Sequence, residues 1–152
     1  MIKHYNGEYK VIANIFRDAI YRTAAGYYSQ EQILAWCPRE IDYHYWKWRC
    51  ELKRPFVYWR NDNAVGFIEL DYNGHIDCHY VSPEYNRQGI GGELLRHVIQ
   101  ISEELNMDKI FVEASHGAKG LYLKNGFMEI CLNKVLRNGV IIDHWILERK
   151  VI

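Results

Sequence analysis

The sequence predicts an α/β domain: one mixed, mostly antiparallel sheet of about six or seven strands, with a central βαβ unit and flanking helices. Three observations predict it. Apolar residues recur at helical spacing in the first third of the chain and at strand spacing after Pro55. One long amphipathic helix, Ile90 to Leu105, lies between two strand-like segments, and that order favours parallel neighbours. Turn residues at 61–63, 71–74 and 137–139 divide the remaining strands into a meander and a closing hairpin.

In chain order, Ile2 to His4 reads as a short strand broken by Asn6-Gly7. Val11, Ile12, Ile15, Phe16, Ala19 and Ile20 fall on one face of a helix over about 8–23. Ser29 and Gln32 have capping-box spacing for a second helix that runs to Cys37 and stops before Pro38. Asp42 to Leu52 is a third helix. Phe56–Arg60, Ala64–Leu70 and His75–Val81 form the meander. Ile110–Ala114 follows the long helix, and a short helix over Ala118–Lys124 stops at Asn125-Gly126. Phe127–Val135 and Val140–Val151 close the sheet.

Composition bounds the function. The chain has 152 residues, which fits one domain spanning 1–152, and a chain of that size buries roughly 70% of its unfolded surface. Nineteen basic and nineteen acidic side chains balance, so no global field gathers nucleic acid or an anionic membrane. Neither a signal profile nor an 18-residue apolar run occurs, and the reading is cytoplasmic with reduced thiols. Cys37, Cys50, Cys78 and Cys131 are scattered, and His4, His44, His97, His116 and His144 lack ligand spacing, so no metal is expected.

Gly89, Gly91 and Gly92 sit where a strand feeds a helix. Unpaired N–H groups and about half a positive charge at a helix N-terminus attract a phosphate, and absent side chains let it approach. Alone, such glycines fit a tight turn equally well. The stretch from Val81 to Leu95, however, resembles the coenzyme motif of the GNAT superfamily of N-acetyltransferases, (Arg or Gln)-x-x-Gly-x-(Gly or Ala), with Asn86, Gly89 and Gly91 at its key positions and Asn86 departing from the usual residue. Downstream, Ser115 to Phe127 resembles the family's Asn-x-x-Ala-x-x-x-Tyr-x-x-x-Gly-Phe segment: Ala118, Tyr122, Gly126 and Phe127 match, and Ser115 replaces asparagine. A Rossmann fingerprint is disfavoured, because its glycines follow the first strand.

The resemblance implies a GNAT-like fold and acetyl transfer from acetyl-CoA, as co-substrate, to a primary amine by direct transfer in a ternary complex. It places coenzyme contacts on His79, Tyr80, Val81 and Ser82, on Asn86, Arg87, Gln88, Gly89, Ile90, Gly91 and Gly92, and on Ser115, Lys119 and Tyr122. The His79 N–H would polarise the thioester carbonyl, a donor of a kind that contributes about 3–4 kcal/mol. Tyr122 matches the general acid that protonates the leaving thiolate; packing in the core is its bland alternative.

An amine of pKa near 10 is only ~0.1% neutral at pH 7, a deficit of roughly 4 kcal/mol. His75 or Asp77 is the expected base, with Glu69 a further candidate and a water chain the alternative. Strict alternation puts His75, Asp77 and His79 on one face and Cys78 on the other, which disfavours an acetyl-cysteine intermediate.

Aromatic residues from Tyr27 to Trp59 either fill the core or line an amine pocket with Glu40 and Asp42. The acceptor is a small molecule or a peptide, with neither nucleic acid nor membrane as partner, and apolar residues in 140–147 allow a homodimer. The competing class is a catalytically silent acyl-CoA-binding module.

Overall fold

The computed structural model describes residues 1–151. In chain order the elements are β1 (Ile2–His4), α1 (Tyr9–Asp18), α2 (Gln30–Trp36), α3 (Tyr43–Lys53), β2 (Phe56–Arg60), β3 (Asn63–Leu70), β4 (His75–Val81), α4 (Ile90–Glu104), β5 (Lys109–Ala114), α5 (Lys119–Lys124), β6 (Met128–Arg137) and β7 (Val140–Lys150). They build one seven-stranded sheet in the order β1-β2-β3-β4-β5-β7-β6, antiparallel everywhere except between β4 and β5. This is the predicted architecture. Among the described residues no helix is long and apolar enough to cross a membrane.

Two apolar layers cover the sheet. Leu94, Leu95 and Val98 of α4 pack with Ile68, Ile76, Ile110, Val112 and Leu147 on one face. On the other, Ile12 and Ile15 of α1 and Trp46 and Cys50 of α3 pack on Val57, Phe67 and Cys78. A third cluster seats α2 on β7 through Ile33, Ala35 and Ile142.

The first helix is shorter than its apolar spacing predicts. The α-helical part of 8–23 ends at Asp18; Ala19–Thr23 widen into a π turn and Ala24–Gly26 tighten into a 3₁₀ turn. Apolar periodicity counts buried positions and is blind to a change of hydrogen-bond step. The capping box at Ser29 and Gln32 forms with both reciprocal bonds, and Asp42 caps α3 through the Tyr45 N–H.

The parallel junction is short. β4 and β5 pair only at His75↔Phe111 and Ile76↔Val112. Gly74 makes this approach feasible: it has φ +91°, and a Cβ there would stand 2.2 Å from the Lys109 carbonyl oxygen. Beyond that point the strands part. The β3–β4 register shifts between Ile68↔His79 and Leu70↔Ile76, so Asp77 and Cys78 together oppose Glu69. Such a bulge bends its strand, and it lies where pairing with β5 stops.

Candidate active site

The wedge between β4 and β5 is lined on one side by β4's free edge. Ser82 N–H donates to Val65 O (2.8 Å), and pairs alternate along an antiparallel ladder. Tyr80↔Phe67 is therefore a hydrogen-bonded pair, and the N–H groups of His79 and Val81 turn away from β3 towards the wedge. At the end of β4 the chain passes through a 3₁₀ turn (Pro83–Tyr85) to Gly89, which caps α4 at φ +81°. Glu93 N–H makes the bond to Gly89 O, so the N–H groups of Ile90, Gly91 and Gly92 have no acceptor within the helix. Arginines surround this anion-ready turn. Arg60 contacts Gln88 and lies 5.9 Å from the Tyr85 ring, Arg87 is exposed, and Arg22 holds Glu84 at 2.5 Å.

Asn86, the departure from the family motif, has a structural task. Its side-chain amide donates to Thr23 Oγ1 (3.0 Å), tying the glycine loop to the end of the π turn. Ser115 Oγ accepts from Ala118 N–H (3.3 Å) before α5. Lys119 is turned to other partners: its ammonium lies 3.3 Å from the Trp145 ring centroid and pairs with Glu129.

Tyr122 is 1% exposed, and its hydroxyl lies 2.7 Å from His79 Nδ1. His79 Nε2 lies 2.9 Å from the Gly91 carbonyl oxygen. A carbonyl only accepts, so Nε2 carries the proton and Tyr122 O–H donates to Nδ1. Burial lowers His79 to about 4 and raises the Tyr122 phenol, which keeps both groups neutral. One imidazole thus joins β4, the first turn of α4 and the tyrosine of α5.

The other side of the sheet holds a cavity of about 700 Å³. Phe16, Tyr28, Trp36, Tyr45, Trp46 and Tyr80 supply aromatic walls, and Glu40, Asp42, Arg49, His75, Asp77, Glu113, Ser115, Arg137 and His144 supply polar ones. The aromatic-rich segment is therefore divided. Four of its rings line the cavity, Tyr58 enters the core, and Tyr27 and Trp48 stay exposed.

The bulge corrects the expected arrangement of β4. His75 and Asp77 face this cavity, whereas His79 faces α4 and α5; the extra residue at 77–78 reverses the alternation between them. For the same reason Cys78 lies on the cavity side with Asp77, contrary to the predicted opposite face. Its thiol sits 3.2 Å from Arg49 Nη2, and burial pushes it well above the usual thiol range, so it remains a thiol.

The candidate bases also separate. Arg49 Nη2 bonds Glu69 (2.6 Å) and Asp77 (2.8 Å), and Lys53 pairs with Asp71 (2.9 Å) and Asp77 (3.0 Å). Glu69 is fully buried beneath Arg49, out of reach of an amine. Its carboxyl is raised by that burial, and its second oxygen has no hydrogen-bond partner. Asp77 is lowered by Lys53 and Arg49 against the opposing effect of burial. Donor atoms of Glu69, Asp77 and Cys78, and of Asp71, His75 and Asp77, cluster within 4.8 Å, but the guanidinium and the ammonium already hold the cation position.

His75 keeps a different partner, one the sequence did not single out. Its Nε2 lies 2.5 Å from Glu113 Oε2, its Nδ1 lies 3.5 Å from Asp71, and its ring stacks on Phe111. The hydrogen bond to Glu113 raises His75 and lowers Glu113. The signal for Glu113 was its place in β5, where it is the polar residue between core residues Val112 and Ala114. Arg49 carried no signal, because its helix and its partners are far apart in sequence.

Comparison with known proteins agrees with this architecture. Residues 24–147 match the model of the acetyltransferase (GNAT) domain. The chain is 33% identical over 139 residues to the uncharacterized N-acetyltransferase YafP of Escherichia coli, spanning 91% of this chain and 87% of that protein. The crystal structure of a GCN5-related N-acetyltransferase from Rhodopseudomonas palustris is similar at a TM-score of 0.92, with 26% identity over 99% of this chain and 94% of that one. The yncA protein of Salmonella typhimurium, solved with its cofactor acetyl-CoA, shares the fold at a TM-score of 0.74, with 18% identity over 100% of this chain and 94% of that one. Sequence and fold thus converge, and the chain belongs to the GNAT acetyltransferases.

Proposed function

We propose that residues 1–152 form one N-acetyltransferase domain that moves the acetyl group of acetyl-CoA to a primary amine by direct attack in a ternary complex. The observation that carries this reading is the convergence on His79: the edge of β4, the first turn of α4 and the Tyr122 hydroxyl all meet at that residue. The pyrophosphate sits on the N–H groups of Ile90 to Gly92, and the pantetheine arm pairs with the free edge of β4 in the wedge. The His79 N–H, directed into the wedge, polarises the thioester carbonyl.

The amine enters from the aromatic-walled cavity on the other side. A protonated acceptor first gives one proton to water; the neutral nitrogen then bonds to the carbonyl carbon, the C–S bond breaks, and a second N–H proton leaves to the polar groups of the cavity and to water. Tyr122 O–H turns from His79 to the sulfur. Burial raises the phenol, so it meets the sulfur as a neutral donor; as the C–S bond breaks its proton passes to the sulfur, coenzyme A leaves as the thiol, and the phenolate, the stronger base, regains a proton through water. Cys78 stays outside this route as a protonated, buried thiol.

Met128, Ile130 and Leu132 are exposed on the edge strand β6, a surface that fits burial in a homodimer and is checked by sedimentation. The function is tested by thermal shift with acetyl-CoA, followed by thiol release over a panel of amines. Stabilisation with turnover supports it; stabilisation without turnover on any amine favours a silent acyl-CoA-binding module. An unchanged melting temperature overturns the coenzyme assignment.

A further inference from the structure

We propose that the acceptor enters as an alkylammonium ion, and that Glu113, oriented by His75, is the carboxylate that receives it; this rests on the acetyltransferase reading above. Of the acidic groups on the strands around the cavity, Glu113 is the one at the β4–β5 split with no lysine or arginine partner among the described residues. Glu69 is buried under Arg49, and Asp77 is shared between Arg49 and Lys53. Asp42 uses one oxygen to cap α3, and Glu40 belongs to the loop between α2 and α3, not to the strands that form the split. Glu113 has a side chain 40% exposed and, among the described residues, one partner, His75, on Oε2, which leaves Oε1 for a ligand.

Its place in the fold matters as much. Val112 is the last residue of β5 paired with β4, so Glu113 stands at the apex of the wedge, the first residue past the split. An ammonium held there lies between the aromatic walls and the free edge of β4. His75 fixes the carboxylate through Nε2 and is itself fixed by stacking on Phe111 at 5.0 Å. Glu113 is a binding residue in this proposal, and His75 is a positioning residue.

The arrangement also makes acceptor affinity depend on pH. A protonated His75 and an incoming ammonium compete for the same carboxylate. The charged groups facing His75 are Glu113 from β5, Asp77 from β4 and Asp71 from the preceding turn, with Lys53 and Arg49 of α3 bound to those aspartates. His144 of β7 and Arg137 of β6 complete the polar wall beyond Glu113. Ammonium binding therefore tightens as pH rises through the raised His75 value, and a neutral ligand shows no such change.

The test uses the full chain saturated with coenzyme A and three probes: 2-phenylethylamine, 2-phenylethanol and aniline, the last two uncharged at about pH 8. Isothermal titration is expected to show the ammonium binding about tenfold more tightly than either neutral probe, as one charge-assisted hydrogen bond allows. Glu113→Gln, of the same shape, removes that preference while the thermal shift with acetyl-CoA stays as in the parent protein. His75→Gln keeps the preference and flattens its pH dependence. Equal affinity for ammonium and alcohol, a preference that survives Glu113→Gln, or no binding by any probe overturns the proposal. Failure of the acetyltransferase reading appears separately, as no stabilisation by acetyl-CoA; the three probes are then compared on the protein without coenzyme.

Discussion

His75 and His79 lie four residues apart on one strand, yet they occupy opposite chemical surroundings. His79 is enclosed between α4 and α5, is lowered to about 4, and bonds a buried phenol and a carbonyl. His75 faces the open cavity and is raised by its hydrogen bond to Glu113. The backbone causes the difference: the bulge at Asp77 and Cys78 reverses the side-chain alternation between the two histidines. The comparison teaches that one strand can present a dry side and a charged side when a single extra residue changes its phase; in the function proposed above these serve the thioester and the amine.

The largest expected effect breaks the His79 side at the acid proposed there, Tyr122. Tyr122→Phe should lower kcat by about 10²–10⁴-fold, the range for losing a positioned proton donor, with the acetyl-CoA thermal shift retained. Turnover at the parent rate removes Tyr122 from the chemistry.

The next effect breaks the charged side. Arg49→Met leaves Glu69 buried without its cation and should cost ~3–5 kcal/mol in urea unfolding. Adding Glu69→Gln should restore part of that loss, because the uncompensated charge is gone. A loss below about 1 kcal/mol for the single variant would mean that Glu69 is neutral in the folded protein, in keeping with its raised carboxyl.

A third measurement sharpens the comparison, since the two histidines titrate with opposite sign. The folded value of His79 lies below its unfolded one, so its contribution is present above about pH 6.5 and is lost as pH falls through about 4, by at most ~3 kcal/mol. The folded value of His75 lies above its unfolded one, so its contribution is full below about pH 6.5 and is lost as pH rises through the raised value. Urea midpoints across pH should therefore become less acid-sensitive in His79→Gln and less alkali-sensitive in His75→Gln. Parallel pH profiles for the two variants contradict the assignment.

The smallest effect lies at the coenzyme loop. Asn86→Ala removes the bond to Thr23 and should cost about 0.5–1.5 kcal/mol, with weaker acetyl-CoA binding and unchanged kcat.

Most of the fold is legible in the sequence. Gly89 and Gly91 between a strand and an apolar-striped helix are local signals, as are the Ser29 capping box and the Asn138-Gly139 turn, and each formed as read. The Tyr122 segment, together with the glycine loop, pointed to the family for the same reason: both are contiguous and their spacing is fixed by one element apiece. The site was legible only in part. His75, Asp77, His79 and Tyr122 were named from sequence, but their grouping assumed an unbroken alternation that the bulge removes.

Arg49 and Glu113 show why the rest was hidden. Arg49 reaches Glu69 and Asp77 across 20 and 28 residues of sequence, and His75 reaches Glu113 across 38. No local pattern encodes a pairing over such separations. By itself, the sequence determined the elements, their order, the phosphate-ready turn and the family, because these follow from periodicity, caps and turn chemistry within a few residues. The tertiary structure alone decided which side of the sheet each β4 side chain serves, which carboxylates are already spent on cations, and which one stays free at the split between β4 and β5. Those outcomes depend on register and burial, which exist only once distant strands and helices have met.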